Sequence, residues 1–230
     1  MHRGSGFRGL AVLSILASGA AFAQGTGTTS STSGSTPAGT QWTVDSAQTV
    51  GDGSNVVRGQ VGYPGIWLDY IHGLDPTFDI GGRFSFNYGF QGSVQAGSGQ
   101  IGLLFQVLLR KQFIELAGFK MAATFNPGFM LYFPSPGTVA GITFPIGAQM
   151  GFPIMDKLVA NASFELPMYL TFAANGAPTY FYFPILFGGG VEYFLQPDLA
   201  LTFKLALGPT ISSGTFFTLE TMIGIAYKLH

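Results

Sequence analysis

Cysteine is absent from the 230 residues, and charged side chains make up only 9% of them. The first absence excludes a disulfide scaffold, thiolate metal sites, a cysteine nucleophile and a lipid anchor on cysteine. The second excludes an ordinary water-facing surface, about 25–35% of which is charged. Net charge is −1, from 10 basic and 11 acidic residues, so there is no electrostatic footprint for nucleic acid. Past the N-terminal segment no uninterrupted apolar run reaches the ~18 residues of a helical span, so helices do not explain a mean hydropathy of +0.36. What the chain has in excess is glycine, 34 residues, and aromatics, 15%.

Residues 1–23 have the pattern of a secretory signal peptide. Arg3 and Arg8 precede an apolar stretch from Leu10 to Phe22, and Ala21-Phe22-Ala23 supplies a small-x-small cleavage signal, with Gln24 starting the mature chain. The apolar stretch is too short to span a bilayer. Residues 24–54 are expected to form a flexible tail, because Gly25–Thr40 consist almost wholly of Gly, Thr, Ser, Ala and Pro and cannot bury enough apolar surface to fold. Its last part, Gln41 to Asn55, is polar and reads either as a short strand leading into the body or as a lumen-lining segment.

The body, 55–230, alternates with period two. Phe78, Ile80, Phe84, Phe86, Tyr88 and Phe90 share one phase, while Asp79, Gly81, Arg83, Ser85, Asn87 and Gln91 share the other. Successive strand side chains point to opposite faces, so this is a strand with an apolar and a polar face. Equivalent runs start near Ile101, Phe119, Ile142, Leu158, Phe181, Leu199 and Phe217. They are separated by turn signals at Gly73–Pro76, Arg110–Phe113, Pro134–Gly137, Met155–Lys157, Asn175–Pro178, Gln196–Asp198 and Ser212–Gly214. From Val56 to Ile71 the phase flips at Pro64-Gly65, which reads as a β-bulge inside one strand. Nine segments result. Single-chain bacterial barrels have even strand numbers, so either a tenth strand precedes Asn55 or one segment is a loop.

The larger face carries Phe, Leu and Ile, and the smaller carries Gly, Ala, Ser, Thr and about one charge per strand. That inverts a soluble sandwich and fits an all-β, antiparallel up-and-down transmembrane β-barrel of 8–10 strands, with large residues toward lipid and small ones in the lumen. Tyr63, Trp67, Tyr70, Tyr132, Phe133, Tyr169, Phe172, Tyr180, Tyr182, Tyr193 and Phe194 fall near strand ends, where interfacial girdles lie.

The last strand resembles the assembly signal of outer-membrane β-barrel proteins: Gly224, an aromatic three residues on at Tyr227, and a hydrophobic two further at Leu229. It departs in ending on His230 and in carrying Met222. The body as a whole resembles small bacterial outer-membrane barrels of the eight-to-ten-strand type. The resemblance implies residence in the cell outer membrane of a Gram-negative bacterium. It also implies periplasmic chaperones and the barrel-assembly machinery as partners during biogenesis, with the lipid bilayer as the permanent one.

The candidate site is the lumen charge set. Arg58, Arg83, Arg110, Lys120, Lys204 and Lys228 are balanced by Asp69, Asp79, Glu165, Glu192 and Glu220. Two readings stay open: they line a narrow pore and set its selectivity, or they pair across the lumen as a structural network. The function expected is therefore a structural barrel or a narrow porin-like channel, with a barrel that binds or passes a small apolar ligand as the alternative. A lipid-modifying enzyme is disfavoured. His72 lies beside a turn and His230 is terminal, so neither has a credible serine or acidic partner. Gly188-Gly189-Gly190 lacks the lysine and helix of a phosphate loop, and the sequence calls for no catalytic residue, metal or cofactor.

Overall fold

The computed structural model describes residues 42–94, 99–116, 118–135, 137–173 and 179–229. The expected signal peptide and tail as far as Gln41, the whole of the expected Asn175–Pro178 turn and His230 lie outside the described residues.

Every regular element among them is a strand: β1 (Asn55–Tyr63), β2 (Gly65–Asp75), β3 (Phe78–Asn87), β4 (Gly102–Leu116), β5 (Phe119–Phe125), β6 (Gly128–Tyr132), β7 (Val139–Thr143), β8 (Ile146–Met155), β9 (Leu158–Leu166), β10 (Tyr169–Ala173), β11 (Tyr180–Pro184), β12 (Leu186–Gln196), β13 (Leu199–Ile211) and β14 (Thr215–Leu229). Four pairs are halves of one continuous stave, interrupted at Asn126-Pro127, Phe144-Pro145, Pro167-Met168 and Ile185. Counted as staves, the sheet is a closed antiparallel barrel of ten. Closure is made by β1 against β14, from Asn55↔Leu229 to Tyr63↔Thr221.

The tenth stave comes from splitting the first segment. Pro64 is the single residue between β1 and β2, which pair antiparallel from Asn55↔His72 to Val61↔Ile66. The phase flip at Pro64-Gly65 is thus a hairpin rather than a β-bulge. The two leave the same mark on alternation, because each moves the following residues to the opposite face. The turn expected at Arg110–Phe113 is also corrected. β4 runs through those residues to Leu116, and Gln112 and Ile114 straddle a register shift against β5. The other tight turns at this end, after Asp75, Met155 and Gln196, fall where expected.

The faces sort as the alternation requires. Ile223 is 60% and Phe187 62% exposed on the outside, whereas Ala206, Thr202, Ala226 and Met222 are buried inside. An exterior built of Phe, Leu, Ile and Val is one that lipid solvates and water does not. Leu205 lies on this band midway along β13. We expect Leu205→Arg to lower unfolding stability in lipid vesicles by ~2–4 kcal/mol. Leu205→Ala should lower it far less. Equal urea midpoints for the two variants would show that this face does not meet lipid.

The girdle expectation needs correction at four positions. Trp67, Tyr132, Tyr169 and Phe194 are buried inside the barrel, while Tyr70, Phe133, Phe172, Tyr180 and Tyr193 are exposed outside. The hairpin at Pro64 sets Trp67 in the inward phase with Asp69 and Ile71. Residues 42–54, expected to belong to the flexible tail, are folded. They fold into the end of the barrel that bears β1's start and β14's finish, with Trp42, Val44, Ala47 and Val50 buried. There Trp42, Val44 and Val50 form a hydrophobic cluster with Val56, Ile71, Val159, Phe194, Ala200 and Ala226.

Candidate functional site: a plugged lumen with a charged chamber

The segment 42–54 has bends but no regular element, so its backbone polar groups need partners from elsewhere. The lumen side chains supply them. The Glu192 carboxylate accepts from the amides of Val44 and Asp45 at 2.9 and 3.0 Å. Arg110 donates to the carbonyls of Ser46 and Thr43 at 2.8 and 2.7 Å. Asp79 accepts from the Val50 amide at 3.2 Å, and Lys228 donates to the Val50 carbonyl at 3.0 Å. Arg58 pairs with Asp45. Trp42 donates from Nε1 to the Pro197 carbonyl at 2.8 Å and packs edge-on against Phe194. Side chains of β1, β3, β4, β12 and β14 thus hold the plug through charge-assisted hydrogen bonds, roughly twice as strong as neutral ones, beside the apolar cluster around Trp42, Val44 and Val50.

The opposite end is narrowed by aromatic rings. The chain after β3 folds inward and seats Phe90 with its ring centroid 4.8 Å from Tyr132, 5.9 Å from Tyr169 and 5.7 Å from Tyr182. Tyr169 and Tyr182 stack at 4.6 Å. Asn87 donates to the Tyr132 hydroxyl at 2.8 Å, and the Tyr63 hydroxyl donates to the Ser93 carbonyl.

Between plug and cap lies a chamber of about 120 Å³, room for roughly four waters at ~30 Å³ each. Its charged lining is Asp45, Arg58, Asp79, Arg83, Arg110, Glu165, Lys204 and Glu220. Two compensated groups dominate. Asp69 accepts from Arg83 Nε at 2.7 Å and from Arg58 Nε at 2.9 Å, and Arg83 stacks over the Trp67 ring at 4.2 Å. Across the lumen, Lys204 Nζ lies 2.9 Å from Glu165 and 2.6 Å from Glu220. Arg110 donates from Nε to Asp79 at 2.9 Å, so each charge of the lining has an opposite partner.

Of the lumen charges expected from sequence, Arg58, Asp79, Arg83, Glu165, Glu192, Lys204, Glu220 and Lys228 all face inward. They divide between chamber and plug. Lys120 also lies in the inward phase, with Ala122; it pairs with Glu115 at 2.9 Å and lines the plug end of the lumen with Trp42, Val50 and Lys228. Gly224 faces the lumen, where a Cβ would lie 2.4 Å from the Gly59 carbonyl, while Tyr227 and Leu229 face outward on β14. His72 Nδ1 is 2.8 Å from Asn55 Oδ1 at the barrel's rim. Alternation alone missed Asp45, which lies in the supposed tail, and the inward Trp67 and Tyr169. Charge alone would not have singled out Asp45, because Asp52 in the same segment is also an acid and is exposed.

No protein-family model matches the sequence, and no curated protein matches it. Solved structures similar to it include the outer membrane protease OmpT from Escherichia coli, at 9% identity and a TM-score of 0.45, over 76% of this chain and 93% of that one. The KdgM porin is similar at 9% identity and a TM-score of 0.39, over 77% and 99%. Ail, the attachment invasion locus protein of Yersinia pestis, is similar at 11% identity and 0.25, over 76% and 97%. These likenesses are too distant to assign an activity.

Proposed function

We propose that the protein is an outer-membrane conduit for small solutes, closed at rest, with residues 42–54 as its gate. The observation that carries this reading is how the plug is held. Its seat combines hydrogen bonds from lumen side chains to plug backbone groups with a small apolar cluster, and no bond is covalent. Each such contact is individually modest against competing water, about 1.5–3 kcal/mol for a charged partner, so the segment can leave as a unit and be rehydrated. The ten-stave interior is wider than an eight-stave one, which side chains fill completely. With the plug gone, the paired charges of the chamber would line a continuous narrow path and set its selectivity.

The test is single-channel recording in planar bilayers on the intact protein and on a variant lacking 24–50, with a heat-dependent gel shift as the folding control. The intact protein should be quiet, and the variant should show discrete current steps. A folded variant as silent as the intact protein would contradict the conduit and leave a structural barrel.

A further inference from the structure

Among the described residues the wall of the barrel has one unlaced seam, and it borders the chamber. Prolines fall in register across neighbouring staves. The ladder between β7 and β10 ends at Thr143↔Tyr169, and that between β8 and β9 begins at Ile146↔Leu166, which sets Pro145 opposite Pro167. On the next seam the ladder ends at Tyr169↔Tyr182 and resumes at Glu165↔Leu186, which sets Pro167 opposite Pro184. Proline has no amide hydrogen to give a ladder. At the Pro145–Pro167 seam the sheet is still closed, because the Phe144 amide donates to the Met168 carbonyl at 2.9 Å.

At the Pro167–Pro184 seam the neighbouring groups are all committed elsewhere. The Met168 amide donates back to Leu166 within its own stave, and the Ile185 amide donates to Pro209 on the far side, both at 2.9 Å. Phe183 and Pro184 pair with Ile211 and Thr210 of β13. Three residues on each side, 166–168 and 183–185, therefore face each other without a ladder. By alternation Leu166, Met168, Phe183 and Ile185 point outward and cover the seam with apolar side chains. Parting it displaces side chains and breaks no backbone hydrogen bond.

Inside, Pro167 lines both the chamber and a smaller cavity of about 40 Å³ that shares Trp67, Tyr169 and Glu220 with it. Trp67 Nε1 and the Tyr169 hydroxyl make no hydrogen bond to another protein group, although the residues are only 6% and 2% exposed. A buried donor left without an acceptor is costly, so these two groups suit a ligand oxygen. The charges lining the chamber are balanced, Asp45, Asp79, Glu165 and Glu220 against Arg58, Arg83, Arg110 and Lys204, so no charge remains over for an ionic head.

We infer that the seam between Pro167 and Pro184 is a lateral portal. Through it a single-chain amphiphile with a neutral, hydrogen-bond-accepting head passes between the lipid and the chamber, its head meeting Trp67 and Tyr169. The portal is independent of any movement of the plug, which seals a different opening.

The protein has only two tryptophans, Trp42 and Trp67, so Trp42→Phe leaves Trp67 as the sole tryptophan, excited selectively on the red edge of its absorption. In phosphatidylcholine vesicles, ω-bromoundecanol should quench Trp67 more strongly than phosphatidylcholine brominated on its chains at equal bromine content, because the two-chain lipid stays outside. Cysteines introduced as Leu166→Cys with Ile185→Cys, or as Met168→Cys with Phe183→Cys, face each other across the seam in an otherwise cysteine-free chain. Oxidising either pair should abolish the excess quenching, and reduction should restore it. Equal quenching by the two probes, or excess quenching that survives oxidation, would overturn the portal. Neither outcome bears on the currents expected when the plug is removed.

Discussion

Lys204→Met is expected to destabilise the folded barrel by about 3–5 kcal/mol, the cost of breaking a buried ion pair by removing one partner. Lys204 stands between Glu165 and Glu220, and all three are largely shielded from solvent. Without the ammonium, two carboxylates face one another in a closed lumen with no compensating charge. The double replacement Glu165→Gln with Glu220→Gln in the Lys204→Met background should recover most of the loss, since it removes the uncompensated charges as well. The readout is the urea midpoint of the protein refolded in vesicles. A Lys204→Met midpoint within error of the unsubstituted protein would mean that water reaches the triad freely and that the lumen is open there.

Arg110→Met carries the second large effect, and it separates wall from plug. Arg110 donates to Asp79 on the neighbouring stave and to the carbonyls of Thr43 and Ser46 in the plug. Its loss strands a buried carboxylate, again about 3–5 kcal/mol, and removes two of the plug's anchors together. Adding Asp79→Asn should restore global stability while leaving the plug loose. Limited proteolysis would then cut within 42–54 in the double variant and spare this segment in the unsubstituted protein. If stability and protease resistance return together, the plug does not depend on Arg110 and is held by its other contacts, those of Glu192, Arg58 and Lys228 and the apolar cluster.

What the sequence exposed of this fold is what alternation encodes. Which residues face lipid followed from period two, kept without exception in β13 and with few exceptions in β3 and β14, such as the outward Gly82 and the inward Met222. The lumen charges followed from the same phase. Non-local events were not legible. A hairpin and a bulge at Pro64 give the same phase flip, and only the pairing of Val61 with Ile66 separates them. The plug lacks periodicity of any kind, and its partners lie far along the chain, as when Lys228 holds the Val50 carbonyl. Trp67 and Tyr169 near strand ends suggested a girdle, because proximity to an end is a one-dimensional property and facing is not. The proline register across three staves depends on strand offsets that no single segment contains.

The most direct test of the central claim, that 42–54 is a gate rather than a fixed part of the wall, is a reversible staple between plug and barrel. A Cβ on Gly151 would lie 3.6 Å from Cβ of Ser46, within the ~3.5–4.5 Å that a disulfide requires. The pair Ser46→Cys with Gly151→Cys should therefore close in an otherwise cysteine-free chain. To give the gate a measurable open fraction, the pair is placed in the Arg110→Met, Asp79→Asn background and recorded in planar bilayers. Silence when oxidised, followed by discrete current steps after a reductant is added, is the predicted result. Current that persists in the oxidised form, or silence that persists after reduction, would contradict the account.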